Sequence, residues 1–534
     1  MKKIYKHIAV LLVLSFVLAC SKESLDLPNP NEPGDYVLNN TDGLKKISLG
    51  IYLPLMTEYW WWFAEGNNNW MGDVLTASVG NFGWRWGNQV SSIHLSNGIV
   101  LTPPDGGTQP EELRKRNERD FGDDNIFNHA WTPLYLVNGH ANYILSMVDA
   151  ANASDNVKNI VKAWAYFWKG WCYSRVGSLY TEGIINDELG TTNNNYVDYT
   201  AILEEATANF DQAITLLNTI TGNAEYNEFM GYIIPQATQR GKGGVLTPQE
   251  WIRSINTHKA RNILVNKYAS ELTPADLAAM KTLLDNGVGE NDKIFTVRSG
   301  NIANYSMVWG NTTWSPLRAA GTNWERVSER LIQDFKTGDL RLDRNFTLRA
   351  PDSWDMGGNP RGVQYNSRWV AKEDAEYFSW VNGLIEVPLA CSYDENALML
   401  AEYYIRSGSI ETGLGYIDAV RTYQNSGLAP VAGTGLNLAQ ALEELRSERR
   451  VGLFMKYVAF YDARRWGVLK PLSQGGGRTG VVVVLGENVH GFAVGYDTNA
   501  TIEYNYLERF DVPAQETDFN PRASRISPSS ISPL

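Results

Sequence analysis

Apolar positions return every three or four residues in several long stretches of this chain, the spacing that gathers them on one face of a helix. "LKKISLGIYLPL" (44–55) predicts a helix that stops at Pro54. Further helices are predicted at 127–148, 159–180, 199–218, 246–272, 395–408, 410–427 and 437–467. In the second of these, Val161, Trp164, Trp168, Trp171, Cys172 and Val176 fall near helical spacing, so its tryptophans read as core. Thr247, followed by Pro248 and by Glu250 three positions on, reads as a capping box opening the 246–272 helix. Between these helices the pattern fails over two long stretches, 57–126 and 290–392.

Antiparallel helix pairs of this size resemble tetratricopeptide units, but they do not recur at a fixed period. The expectation is therefore a mainly α protein: a tetratricopeptide-like helical-pair scaffold carrying long irregular loop insertions. Loops that long inside a compact protein are usually functional. The first holds Trp60, Trp61, Trp62, Trp70, Trp84 and Trp86 among glycines and asparagines.

The front end has its own pattern. Lys2, Lys3 and Lys6 precede an apolar run at 8–19, the length and flanks of a signal-peptide core. It ends in Val17-Leu18-Ala19-Cys20, which resembles the lipobox of bacterial lipoproteins. In such signals the cysteine thiol takes a diacylglyceryl group, and cleavage leaves that cysteine as the first residue, so Cys20 is the expected lipid-attachment site. Several acyl chains on one residue hold a soluble domain at a membrane where one chain would not. The next stretch, "SKESLDLPNPNEPGDY", reads as an extended tether. The expected organisation is a signal peptide (1–19), a lipidated tether (20–40) and one helical domain (41–534) with insertions at about 57–126 and 290–392.

Composition narrows the function. A net charge of −12 over 534 residues argues against nucleic acid as a partner, since phosphate contacts need a surplus of Lys and Arg. Beyond Cys20 only Cys172 and Cys391 remain, each in an apolar setting that suits a buried free thiol. The 18 tryptophans and 27 tyrosines are the anomaly, because aromatics outside periodic helices point to a binding surface. With six histidines and no HExxH, paired CxxC or GxSxG, zinc and nucleophile-elbow chemistry lack their spacing. His129 and His140 alone make no zinc site. "RDFGDDN" (119–125) lacks EF-hand spacing and reads as a solvated acidic loop; "GGGR" (475–478) reads as a turn. Neither a metal nor a cofactor is called for. A glycosidase needs only two carboxylates, so glycoside hydrolysis stays open.

Several segments together resemble the SusD/RagB family of outer-membrane nutrient-binding lipoproteins. In "ERRVGLFMKYVAFYDARRWG" (448–467), Glu448, Arg449, Leu453, Asp462, Arg465, Trp466 and Gly467 fit the pattern ER-x-x-EL-x-x-EG-x-R-x-x-D-x-x-RWG, while Gly452, Lys456, Tyr457 and Ala459 depart from it. Pro513, Glu516, Asn520 and Pro521 match a closing P-x-x-E-x-x-x-NP. "ENALMLAEYYIRSG" (395–408) resembles the family's helix with Leu-Ala-Glu in its middle. The resemblance implies a non-catalytic binder of oligosaccharides, or in some members peptides, that sits at the outer membrane facing the cell exterior. Its partner would be a SusC-like TonB-dependent transporter. The matching motifs themselves read as structural ties.

Sugars present apolar C–H faces ringed by hydroxyls, so their binders set aromatic platforms among Asn, Asp and Arg. Two loops supply this. "WMGDVLTASVGNFGWRWGNQ" (70–89) offers Trp84 and Trp86 flanking Arg85, with Asp73, Asn81 and Asn88. "NYSMVWGNTTWSPLRAAGTNW" (304–324) offers Tyr305, Trp309, Trp314, Arg318 and Trp324. Trp60–Trp62 and Trp354 are weaker candidates. Two alternatives remain: a tetratricopeptide-type adaptor that binds only protein, and a surface glycoside hydrolase.

Overall fold

Helices carry this fold, and short strands brace them. The computed structural model describes residues 39–523, apart from 56–59, 78–82, 235–240, 299–324, 351–361, 379–385, 487–489 and shorter breaks. Its helices of seven residues or more are α1 (Thr41–Leu49), α2 (Trp60–Met71), α3 (Gln109–Lys115), α4 (Asn128–Val148), α5 (Asp155–Leu179), α6 (Tyr199–Leu217), α7 (Ala224–Ile233), α8 (Pro248–Val265), α9 (Pro274–Leu284), α10 (Tyr393–Arg406), α11 (Ile410–Tyr423), α12 (Leu438–Gly452) and α13 (Ala459–Arg465). The pairs α4–α5, α5–α6, α8–α9 and α10–α11 pack on one another as the helical-pair reading predicts.

The caps follow the sequence. Thr247 Oγ1 accepts the Glu250 amide at 3.2 Å while the Glu250 carboxylate accepts the Thr247 amide at 2.7 Å; Thr273 with Asp276 and Asn437 with Gln440 repeat the device. One helix is shorter than its pattern. The predicted 437–467 run breaks between α12 and α13, where Met455 and Tyr457 adopt positive φ angles of 59° and 62°. Tyr457 stands where the family pattern has glycine, the residue that takes this conformation without strain.

The irregular reading of 57–126 is corrected. That stretch contains α2 and α3, and Trp70, Trp84 and Trp86 lie inside the molecule, the first two fully buried. Elsewhere the aromatic surplus builds the core around α5. Tyr52 stacks on Trp168 at 5.8 Å, and Trp164, Trp171, Trp251 and Phe295 close around them edge-on or tilted. Cys172 and Cys391 are buried and free. Both histidines of α4 are used as ties: His140 meets the Ile47 carbonyl at 3.1 Å, and His129 lies between Asn67 and the Asp123 carbonyl.

Short strands tie the insertions to this scaffold. β1 (Leu75–Ala77), β7 (Glu325–Val327), β9 (Trp369–Ala371) and β8 (Phe346–Leu348) form one sheet in that order; β11 (Arg478–Val484), β12 (Tyr496–Glu503), β2 (Ser92–His94) and β3 (Val100–Leu101) form another. Two ladders complete the set, β4 (Glu182–Ile184) with β5 (Tyr196–Asp198) and β6 (Thr296–Arg298) with β10 (Glu386–Pro388). No helix among the described residues is long and apolar enough to cross a membrane.

Candidate functional site

α2 ends at Gly72, and the chain turns through Asp73, whose φ of 52° redirects it into β1. That turn is held from its interior. Asp73 accepts hydrogen bonds from Arg330 (3.0 and 2.7 Å), from the Ser328 hydroxyl (2.8 Å) and from the Tyr504 hydroxyl (2.5 Å). Burial alone would raise its carboxyl, but Arg330, Arg478 and Arg450 outweigh that and hold it down to about 2. Asp73 is therefore a permanent anion in the frame, 2% exposed, and the expectation that it faces a ligand is corrected.

The same correction covers four neighbours. Trp84 is fully buried against Trp70 at 4.3 Å. Trp86 is 7% exposed and roofed by the Arg116 guanidinium at 3.7 Å. Arg85 is buried and donates to the carbonyls of Ala77 (2.6 Å) and Val363 (3.2 Å). Asn88, also buried, accepts the Ala77 amide at 3.1 Å and donates to the Trp70 carbonyl at 3.1 Å. A buried aromatic with glycine-rich flanks has the composition of a binding loop, and the sequence pattern alone does not separate the two. Gly83 shows the structural use of such a glycine: its φ is +70°, and a Cβ there would stand 2.5 Å from the Asp124 carbonyl oxygen. Asn81, Trp309, Trp314, Trp324, Tyr305, Arg318, Trp354 and Cys20 lie outside the described residues, as do the side chains of Trp60–Trp62.

What the structure does show is a ladder that borders both candidate stretches. β1 and β7 are antiparallel with Leu75 opposite Val327 and Ala77 opposite Glu325. Residues 75–77 of the 70–89 stretch pair with residues 325–327, which directly follow the 304–324 stretch in sequence, and the edge of this ladder at Ala77 and Glu325 forms one corner of the described frame. A second ladder, β6 with β10, pairs Arg298 with Glu386, and Arg85 ties the 70–89 stretch to the Val363 carbonyl.

The ladder holds a buried cation. Arg326, opposite Thr76 in the ladder, is 1% exposed; burial and the neighbouring Arg349 push its guanidinium down to about 9. Among the described residues, Arg85 and Arg326 are thus buried cations of the frame, not groups presented to solvent. Sequence reasoning passed over one feature nearby: Phe121 and Phe519 are 37% and 72% exposed, and Arg119 stacks over Phe519 at 4.3 Å. The acids of "RDFGDDN" drew attention away from its phenylalanine. Among the described residues no three His, Cys, Asp or Glu side chains group as metal ligands.

Similarity to solved structures decides the fold. The chain matches a SusD-like carbohydrate binding protein from Bacteroides fragilis with a TM-score of 0.60, over 91% of this chain and 99% of that one, at 14% identity. This is the SusD fold. A second SusD-like protein from Bacteroides fragilis matches with a TM-score of 0.54 (12% identity; 92% and 98% covered), and Bacteroides fragilis NanU with 0.52 (12%; 83% and 92%). No family model and no curated protein sequence matches the chain.

The fold also explains the motif residues. Glu448 takes bidentate contacts from Arg341 (2.6 and 3.2 Å) and a third from Arg421 (2.7 Å). Arg449 and Arg465 share Asp462 at 2.9 and 2.6 Å. Trp466 is bracketed by Arg406, Arg446 and Arg465. Glu516 accepts from Trp131 and Asn520, which fastens the closing segment to α4. These are structural ties between elements of the fold. Lys456, where the pattern has an acid, pairs with the buried Asp394.

Proposed function

We propose that this chain is a lipid-anchored outer-membrane protein, facing the cell exterior, that binds oligosaccharide and delivers it to a SusC-like TonB-dependent transporter without cutting it. The observation that carries the reading is the fold shared with solved SusD-like structures over most of the chain; the Ala77–Glu325 pairing borders the 304–324 stretch to which the ligand contacts are assigned. The likeness to a SusD-like carbohydrate binding protein supports the ligand class, and the Cys20 lipobox supports the anchor. The ligand contacts are assigned to Trp309, Trp314, Trp324 and Asn81. Peptide is the second ligand class, favoured where a panel of sugars gives no heat.

Calorimetric titration of the soluble chain from Ser21 onward against neutral and acidic oligosaccharides, with Trp314→Ala and Trp324→Ala alongside, tests this. Micromolar to millimolar binding that either substitution weakens at least tenfold is expected. Binding that ignores both substitutions would move the site elsewhere on the molecule. Release of reducing ends during the titration would make the protein a hydrolase.

A further inference from the structure

A second aromatic surface lies on the outer face of α9, α10 and α11, remote in sequence from the corner. Tyr393 and Tyr404 stand on α10, eleven residues and roughly 16 Å apart along its axis; Tyr416 and Tyr423 stand on α11. Tyr404 and Tyr416 stack at 5.6 Å with their planes 12° apart. Tyr403 meets Tyr404 edge-on at 5.1 Å, and Tyr393 meets Tyr423 edge-on at 5.0 Å. All five are half-buried. Tyr404 and Tyr416 are seated on the apolar cluster of Leu264, Met280 and Leu284, which fixes the rings while leaving part of each in solvent.

The polar groups around the rings are already matched. Lys281 lies 5.7 and 5.4 Å from the rings of Tyr403 and Tyr404 and is paired with Asp285 at 2.5 Å. Lys242 lies 5.3 Å from the Tyr423 ring and donates to the Glu290 carbonyl at 3.0 Å. Asp285 neutralises Lys281, while Lys242 is bonded to a neutral carbonyl. The patch offers partly exposed phenol rings, phenol hydroxyls and the spare donor and acceptor capacity of Lys and Asp. The aromatic side chains named here are all tyrosine, the residue that joins an apolar face to a polar tip. That combination complements an uncharged ligand with alternating C–H and O–H surfaces.

We infer that the Tyr393–Tyr404–Tyr416–Tyr423 stripe is a second binding surface, for uncharged saccharide chains, separate from the corner at Ala77 and Glu325. The inference shares with the proposed function only the saccharide class of the ligand. A chain lying along the stripe would be held by ring stacking at several points, each weak, so that a polymer binds better than its short fragments.

Affinity electrophoresis of the soluble protein in gels containing β-glucan, galactomannan, arabinoxylan or pullulan tests it. Tyr404→Leu/Tyr416→Leu keeps apolar side chains on the underlying cluster and removes the stacked rings; thermal unfolding confirms that the variant folds. Retardation by at least one polymer that falls about threefold or more in this variant, and that survives Trp314→Ala/Trp324→Ala, is the expected result. Retardation unchanged in the tyrosine variant overturns the inference. Retardation lost only with the tryptophans leaves the corner as the sole site and also overturns it, as does absence of retardation in all four polymers. Unchanged retardation together with lost co-purification of the transporter would reassign the stripe to protein contact.

Discussion

Arg465 sets its two terminal guanidinium nitrogens 2.9 Å from the two carboxylate oxygens of Glu402, and neither side chain is exposed. Glu402 is the acid of the Leu-Ala-Glu helix and Arg465 the arginine of the Arg-Trp-Gly turn, so two segments that resemble family motifs are one contact. Burial would raise the Glu402 carboxyl, but Arg465 and Arg406 hold it down to about 2. Removing one partner of a buried pair leaves the other charge stranded, at a cost of about 3–5 kcal/mol. Glu402→Gln and Arg465→Met should each lower the urea midpoint accordingly. Equal midpoints for wild type and both variants would show that the pair is not a stabilising tie.

Much of this was legible in the chain. Long periodic helices from α4 to α6 and from α10 to α12 are visible because their apolar faces meet other helices, and periodicity records that burial directly. α7 and α9 were missed: they are ten and eleven residues long and little of each faces the core. The tryptophans of 60–86 misled for a physical reason. A helix such as α2 that is buried on several sides loses its period, and "WWWFAEGNNNWM" has the composition of a loop while its second half packs as core. The two candidate loops could be named but not joined, because a three-residue ladder between residues 250 positions apart leaves no local signal.

Gly72 is required by close approach. A Cβ at this position would stand 2.4 Å from the backbone carbon of Ala459 and 2.6 Å from the amide of Phe460, where α2 crosses the start of α13. Backbone cannot move aside as a side-chain tip can. Gly72→Ala is expected to cost about 1–3 kcal/mol, measured by chemical denaturation. Since the nearest atoms are main chain, adding Ala459→Gly should recover less than half of the loss. Full recovery would mean that the Ala459 methyl, and not the backbone, sets the spacing.

Glu65 on α2 gives the fold a pH dependence. It is 5% exposed and 2.9 Å from Arg175. Burial pushes its carboxyl up to about 7 against the opposing pull of Arg175 and Arg261. Between its unfolded value of 4.5 and about 7, the folded state binds more protons than the unfolded one, so this group lowers stability as pH rises through that window. Asp73 and Glu402 act in the opposite sense: held at about 2, they contribute stability that is lost as pH falls from about 4 towards 2. Maximal stability should fall near pH 5. Glu65→Gln removes the first effect, so its stability relative to wild type should improve between pH 5 and pH 8 by up to about 3 kcal/mol. A difference that stays flat with pH would assign Glu65 an ordinary carboxyl.

Trp84 and Trp324 are equivalent in the sequence, both tryptophans in glycine- and asparagine-rich surroundings, and the structure assigns Trp84 to the core. Trp84 is fully buried against Trp70. Truncating it leaves a cavity in a region that also seats Arg85 and Asn88, and a buried Trp→Ala change costs about 3–5 kcal/mol. Trp84→Ala should therefore lower the melting temperature sharply, and any loss of ligand heat should track the fraction unfolded. Trp324 directly precedes Glu325, the residue opposite Ala77 at the edge of the ladder. If it serves the ligand as proposed, Trp324→Ala should shift the melting temperature by less than about 2 °C while weakening oligosaccharide binding at least tenfold. Measuring melting curves and calorimetric affinities on the same preparations gives two numbers per variant. A Trp84→Ala protein that melts like wild type yet fails to bind would restore the 70–89 loop as the ligand platform and undo the assignment to 304–324.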